Sequence, residues 1–263
     1  MTRAADWDAA RYHQVARPHA AWGTRVLDRL SLRGDELVLD AGCGSGGVTA
    51  QLVQRLPRGR VIAADVSPAM LAEARRTLEP FADRLSFVQV DLREIDRVLD
   101  QRVDVVFSTA TFHWIADHAL LFAALRHVSK PAARLVAQFG GGDNLADFMA
   151  SADTVAARQP FATELDGRRL WRFFYTPEQT RQRLEAAGFG AVDAWLEPSP
   201  QTFADRAALA AFCRTVVLSS HVAALPESLR DAFVAEVVDE VVARQGACLL
   251  DYVRLNVEAI AVA

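Results

Sequence analysis

The stretch Leu37-Val-Leu-Asp-Ala-Gly-Cys-Gly-Ser-Gly-Gly47 constrains this chain more than any other, because an apolar run ends in an acid and opens into four glycines. A run of this kind reads as a buried strand that delivers a tight turn, bare of side chains, to a ligand. Gly42, Gly44 and Gly47 also satisfy G-x-G-x-x-G, the dinucleotide turn of Rossmann oxidoreductases. The turn alone therefore leaves two cofactor classes open.

A regular rhythm follows. Strands are expected at Glu36–Asp40, Arg60–Asp65, Leu85–Asp91, Val103–Ser108 and Arg134–Phe139. Between them lie helical patterns at Val48–Leu56, from Ser67-Pro68 to Pro80, and at Asp117–Val128. Ser67 is a candidate N-cap, with proline in the first turn. This alternation predicts an α/β fold, a parallel sheet with helices on both faces. Gly140-Gly-Gly142 then opens a segment to Phe174 with little regular pattern, expected to be a lid. A helix over Pro177–Ala187 closed by Gly188, a sixth strand over Ala191–Leu196, and a helical stretch over Asp205–Arg244 broken at Pro226 come next. Leu249–Val262 alternates as a last strand, with a last helix as the alternative. The expected organisation is one domain over 1–263: an N-terminal helical flap over 1–30, a cofactor-binding core over 31–140, a lid over 141–176, and a C-terminal region over 177–263 carrying the insertion 205–244.

Composition narrows the partners. At 51% hydrophobic and 24% charged residues, the chain has the makings of a packed core rather than disorder. A net charge of -4 gives no basic stripe for phosphates, so a small molecule is expected and a nucleic acid is not. The apolar tract Phe233–Val242 carries Glu236, Asp239 and Glu240, and no run approaches the length of a membrane span. Charge also interrupts Met1–Asp8, so a cytoplasmic protein with no membrane partner is expected. Cys43, Cys213 and Cys248 are widely spaced without a C-x-x-C pair, and no metal is expected. Monomer and homodimer both stay open.

Asp40, Asp65 and Asp91 each fall at the carboxyl end of an expected strand, the edge at which open α/β sheets bind ligands. A single such Asp is often only a turn former. Three in register with a glycine turn point to a nucleoside: a carboxylate after the second strand can accept from two ribose hydroxyls, and Asp91 from an adenine amino group.

Asp40-x-Gly42-x-Gly44-x-Gly46, Val61-Ile-Ala-Ala-Asp65-Val-Ser-Pro-Ala-Met-Leu71 and Phe87-Val-Gln-Val-Asp91 resemble the first three motifs of class I S-adenosylmethionine-dependent methyltransferases, in order and spacing over about Leu37–Phe139. The resemblance implies a Rossmann-like three-layer sandwich whose seven-stranded, mostly parallel sheet ends in an antiparallel strand. It implies Asp65 at the ribose, Gly42 and Gly44 beside the amino-acid moiety, and Met70, Asp91 and Leu92 at the adenine, with Asp40, Gly46, Val66, Ser108 and Thr109 as further cofactor contacts. That exit, Ser108-Thr-Ala-Thr-Phe-His-Trp114, resembles small-molecule members of the trans-aconitate methyltransferase type. Lys130-Pro131-Ala132-Ala133 departs from the family's usual Lys-Pro-Gly-Gly.

Methyl transfer from a sulfonium needs alignment more than acid or base. His113 is the candidate base near the methyl donor. Trp114 beside it and Tyr12 in the N-terminal element, which the family often uses as a flap, are candidate acceptor contacts; Trp22 is expected to pack. The basic-aromatic cluster Arg168, Arg169, Trp171, Arg172, Phe173, Phe174 and Tyr175 makes an anionic acceptor conceivable, with Arg172 its carboxylate contact. The expected activity is methylation of an oxygen, carbon or nitrogen of a small molecule, carboxylate-bearing acceptors included. A nicotinamide-dependent oxidoreductase and a non-catalytic S-adenosylmethionine-binding protein are the alternatives.

Overall fold

A computed structural model describes residues 17–166, 168 and 170–263, with side chains from Trp22 onward. Five parallel strands, β1 (Leu37–Ala41), β2 (Arg60–Asp65), β3 (Leu85–Gln89), β4 (Val103–Thr109) and β5 (Ser129–Gly140), are joined by β6 (Phe189–Pro198) and β7 (Val253–Ala261). The order is β3-β2-β1-β4-β5-β7-β6. β7 runs antiparallel to both β5 and β6, so the last strand is the antiparallel one, as the family resemblance implies.

The period-two alternation of buried strands divides the core between two faces. Val38, Val61, Ala63, Val105, Phe107 and Val136 pack on α1 (Arg17–Asp28), α2 (Gly47–Gln54) and α3 (Pro68–Thr77). Their neighbours Leu39, Ile62, Val106 and Leu135 face α4 (His118–His127) and α7 (Pro177–Ala186) across the sheet. Burying both faces makes these strands nearly continuous apolar runs. The expected starts hold: Ser67 Oγ accepts from the Met70 amide at 3.2 Å, with Pro68 in the first turn.

Between residues 141 and 176 the expectation of little regular structure is corrected. α5 (Ala146–Ala156) and α6 (Phe161–Leu165) lie there and pack with α8 (Arg206–Phe212), α9 (Ser219–Ala224) and α10 (Glu227–Gln245) in a separate core around Phe148, Phe161, Phe212 and Phe233. A π-helical turn, Cys213–Val217, joins α8 to α9, and Pro226 marks the break before α10. Among the described residues no helix is long and apolar enough to cross a membrane.

The Lys130-Pro-Ala-Ala133 departure has a visible consequence. Ala132 sits at φ +62°, a conformation in which glycine is at ease and alanine is strained by about 1 kcal/mol. β5 spans this point, but its pairing with β4 is irregular there, jumping from Val103–Ser129 to Val105–Arg134.

Candidate active site

The carboxyl ends of β1, β2 and β4 converge on the glycine turn. Gly42 and Cys43 both donate their amides to the Ala64 carbonyl, at 2.8 and 3.0 Å, which folds the turn back over β2. Gly42 has φ +93°, and a Cβ there would stand 2.2 Å from Thr111 Oγ1, so only glycine fits between β1 and the exit of β4. Gly44, at φ +54°, has nothing within 4 Å of where its Cβ would be. Its bare backbone faces an open cradle. Gly46 is the left-handed residue that starts α2, whereas Gly47 is already helical and has no positive φ.

Asp65 ties the turn to α3. Its Oδ2 accepts from the Gly44 amide and its Oδ1 from the Ser67 amide, both at 2.9 Å. Burial raises its pKa, against the pull of those backbone bonds. A carboxylate has about four acceptor positions, so two bonds leave capacity for two hydroxyl donors. Asp40 is only 2% exposed and accepts from Thr49 Oγ1 at 2.6 Å. Burial, with the Asp65 charge adding to it and the Thr49 bond opposing, pushes its carboxyl up to about 7. Cys43 is buried in the same turn and its thiol is pushed up by burial, so it stays protonated and unreactive.

The third acid is placed differently from the expectation. β3 ends at Gln89, and Asp91 caps the turn Leu92–Arg97, accepting the Arg93 amide at 3.0 Å. The Arg93 guanidinium also binds both oxygens of Asp91, and this bond lowers its pKa. Asp91 nevertheless lines a groove of about 440 Å³ with Val66, Gln89, Glu94 and Val98. Leu92 and Met70 are buried; Met70 lies inside α3 with its amide held by Ser67. Ser108 is buried with its hydroxyl donated to the Ala41 carbonyl at 2.7 Å, so it joins β4 to β1. Thr109 is half-buried, and its carbonyl accepts from Thr111 Oγ1.

The exit of β4 carries the chain from the glycine turn to a second cavity. Ala110 takes φ +55°, a strained conformation of the kind that gathers at functional sites. Beyond it, Ala110, His113, Trp114, Asn144, Arg172 and Arg254 line the cavity, with Leu145, Val216, Val217 and Tyr252 completing the wall. Its roughly 30 Å³ has room for one water-sized or carboxylate-sized group. No Asp or Glu is among these lining residues.

Two arginines line that space. Arg172 stacks over the Trp114 ring, 3.9 Å from its centroid, and donates to the carbonyls of Val216 and Val217 on the π-helical turn. Arg254, 2% exposed, lies over the Trp22 ring at 4.4 Å. Trp22 packs as expected, edge-on to Tyr252 with its Nε1 donating to Ser199 Oγ. Tyr12 and Arg169 lie outside the described residues, and Arg168 is exposed. Arg254, Tyr252 and Asn144 escaped the sequence reading. A polar residue at every second position of β7, Arg254, Asn256 and Glu258, was the available signal.

Residues 38–132 match the family model described as a methyltransferase domain. A trans-aconitate 2-methyltransferase of Methylobacterium nodulans is 33% identical over 193 residues, covering 73% of this chain and 67% of that protein. The chain belongs to the class I S-adenosylmethionine-dependent methyltransferases. This membership sets aside the nicotinamide alternative and makes S-adenosylmethionine the cofactor. A trans-aconitate 2-methyltransferase of Escherichia coli K12 is 36% identical over 133 residues, which is 51% of this chain and 50% of that protein. The matched stretch thus spans about half the length of the Escherichia coli relatives. Among solved structures, phosphoethanolamine N-methyltransferase 2 of Haemonchus contortus, in complex with phosphomonomethylethanolamine and S-adenosylhomocysteine, superposes with a TM-score of 0.63 at 17% identity, over 100% of this chain and 58% of that one. The [4+2]-cyclase SpnF superposes at 0.58 and 18% identity, over 93% of this chain and 81% of its own. At such identities the likeness is one of fold, and the reaction is to be argued from the site.

The residues present fit the cofactor. The cradle over Gly44 admits a ligand where a side chain would block it, and Asp65 beside it has acceptor capacity for two hydroxyls.

Proposed function

We propose that this chain methylates a carboxylate oxygen of a small anionic acceptor, a polycarboxylate of the trans-aconitate kind. The observation that carries this reading is the pairing of Arg172 and Arg254 on a cavity with no acid among its described lining residues, next to the β4 exit that touches the glycine turn. Guanidinium groups recognise carboxylates through paired, charge-assisted hydrogen bonds. The names of the relatives support the same acceptor class. In this reading Asp65 holds the ribose, and Gly42, Gly44 and Gly46 with Asp40 surround the methionine end. Val66, Met70, Asp91 and Leu92 enclose the adenine along the groove, while Trp114 and Arg172 close over the acceptor.

When bound, S-adenosylmethionine supplies an electrophilic methyl group on a sulfonium. The chain's contribution is to orient and to exclude water. The turn and Asp65 fix one reactant, the arginines fix the other, and the helical insertion 205–244 roofs the acceptor cavity through Val216 and Val217. The net charge of -4 and the cavity-lining arginines favour a free, cytoplasmic small molecule over a nucleic acid.

Steady-state kinetics with trans-aconitate test this reading. Arg172→Gln and Arg254→Gln are each expected to raise KM for the acceptor about fivefold, a loss of about 1 kcal/mol, because one guanidinium remains. Affinity for S-adenosylmethionine should stay within about twofold of wild type. Unchanged KM in both variants would refute the arginine pocket.

A further inference from the structure

We propose that His118 is a positioning residue for the acceptor cavity, its imidazole holding the turn Phe112–Trp114 against the segment that bears Arg172. The inference rests on the carboxylate reading above for its kinetic consequence alone. His118 is not among the residues lining the cavity; it is the first residue of α4 and only 1% exposed. Its Nε2 lies 2.9 Å from the Phe112 carbonyl. A carbonyl oxygen only accepts, so Nε2 carries the proton and Nδ1 of the neutral ring is bare. Among the described residues Nδ1 is buried with no hydrogen-bond partner. Burial lowers the imidazole pKa to about 4; the Phe112 bond opposes this, the Arg183 charge adds to it, and Asp117 opposes. The ring is therefore a neutral donor near pH 7.

The turn depends on this bond. Phe112–Trp114 is a single 3-10 turn with no side-chain bond from its N-cap, Thr111, and it closely follows Ala110 at φ +55°. The Phe112 carbonyl accepts from the Ile115 amide at 2.9 Å and from the His118 ring at the same distance, which uses both of its lone pairs inside the protein. Removing the ring donor would leave a buried acceptor half satisfied.

The same ring meets the other wall. Its centroid lies 4.5 Å from that of Tyr175, whose hydroxyl donates to the Ala116 carbonyl at 2.6 Å and whose carbonyl accepts from the Gly142 amide at 2.9 Å. In the same segment Arg172 stacks on Trp114, and the Phe173 amide donates to the His113 carbonyl at 2.8 Å. Phe112, Phe122 and Phe139 enclose His118 at 6.5, 5.2 and 5.7 Å. An imidazole suits this place, because its faces pack in an aromatic cage while one N–H reaches a carbonyl. The turn brings His113 and Trp114 to the cavity, and the segment brings Arg172. His118 sets the spacing between them. Alignment of the acceptor depends on walls held in this way by residues behind them.

Three measurements test the assignment together. Imidazole nitrogen NMR on the labelled, ligand-free chain at neutral pH is expected to show His118 as the Nε2–H tautomer. His118→Phe keeps the ring and removes the donor, so hydrogen exchange at the Ile115 and Phe173 amides should quicken about tenfold while β1 and β2 stay unchanged. In kinetics with trans-aconitate, the same variant should raise KM about tenfold with kcat and S-adenosylmethionine affinity within about threefold. His118→Gln, whose amide reaches about as far as Nε2–H, should bring exchange and KM back to within about threefold of wild type. An Nδ1-protonated ring overturns the proposal, as does a folded His118→Phe with wild-type exchange and KM, or a His118→Gln no better than His118→Phe. Should His118→Phe not fold, His118→Gln decides alone: near-wild-type exchange and KM support the assignment, and tenfold changes overturn it. A wild-type chain that methylates no carboxylate overturns the acceptor reading instead, and the exchange pattern, which needs no acceptor, still decides whether His118 holds the turn.

Discussion

Replacing Asp65 by Ala is expected to weaken S-adenosylmethionine binding about 100-fold or more. Two losses combine. The ligand loses its acceptors for two hydroxyls, each a charge-assisted bond of about 1.5 kcal/mol or more. The Gly44 and Ser67 amides lose the carboxylate that holds the turn against α3, so the cradle itself loosens. Two such bonds amount to about 3 kcal/mol, or two powers of ten. Asp65→Asn keeps one acceptor oxygen and should fall between, at roughly a tenfold loss. Calorimetric titration of both variants measures this, alongside thermal unfolding of the ligand-free chain. An Asp65→Ala variant that binds within threefold of wild type would remove Asp65 from the cofactor site.

Affinity for S-adenosylmethionine is expected to be about tenfold weaker at pH 6 than at pH 8. The buried Asp40 carboxyl keeps its proton up to about pH 7, whereas an unfolded aspartate loses it near pH 4. Between those limits the folded chain binds more protons than the unfolded one. Stability of the ligand-free chain therefore falls as pH rises from about 4 to about 7 and levels off above. A cationic ligand at the turn reverses the preference, because it favours the carboxylate. Binding then expels the proton, and below pH 7 that expulsion opposes binding. Titrations in two buffers of different ionisation enthalpy should differ in heat at pH 6.5 and agree at pH 8.5. Asp40→Asn should flatten the profile. The same slope in Asp40→Asn as in wild type would place the titrating group elsewhere.

The sheet was legible because its strands are buried on both faces and end at strong punctuation. Arg60–Asp65 falls where expected, bounded by Gly59 and by the Ser67-Pro68 cap. α5 was not legible. Its N-cap is Leu145, in a left-handed conformation and without a polar side chain; Asp251, far along the chain, accepts the Asp147 and Phe148 amides instead, and the buried positions include Ser151 and Ala152, which carry little apolar signal. α6, with five residues, is too short for a period to emerge.

Within the site, Asp40 and Asp65 were readable as acids at strand ends, and Gly46 rather than Gly47 takes the left-handed position. Asp91 was readable too, but its engagement by Arg93 depends on a turn that the charged stretch after β3 concealed. Arg254 was hidden for a topological reason. β7 is antiparallel, so its first residues, not its last, reach the edge at which β1, β2 and β4 end; Arg254 pairs with Gly140 at the end of β5. Arg172 was named from composition. Its stacking on Trp114 and its bonds to the π-helical turn are properties of the packed helices.

The fate of the transferred methyl group bears most directly on carboxylate methylation. Incubating the chain with methyl-labelled S-adenosylmethionine and trans-aconitate, then treating the product with mild base, distinguishes an ester from other products. Carboxylate methylation predicts label in the acceptor that base releases as methanol. Label that resists base, or no transfer to the acceptor at all, would contradict it.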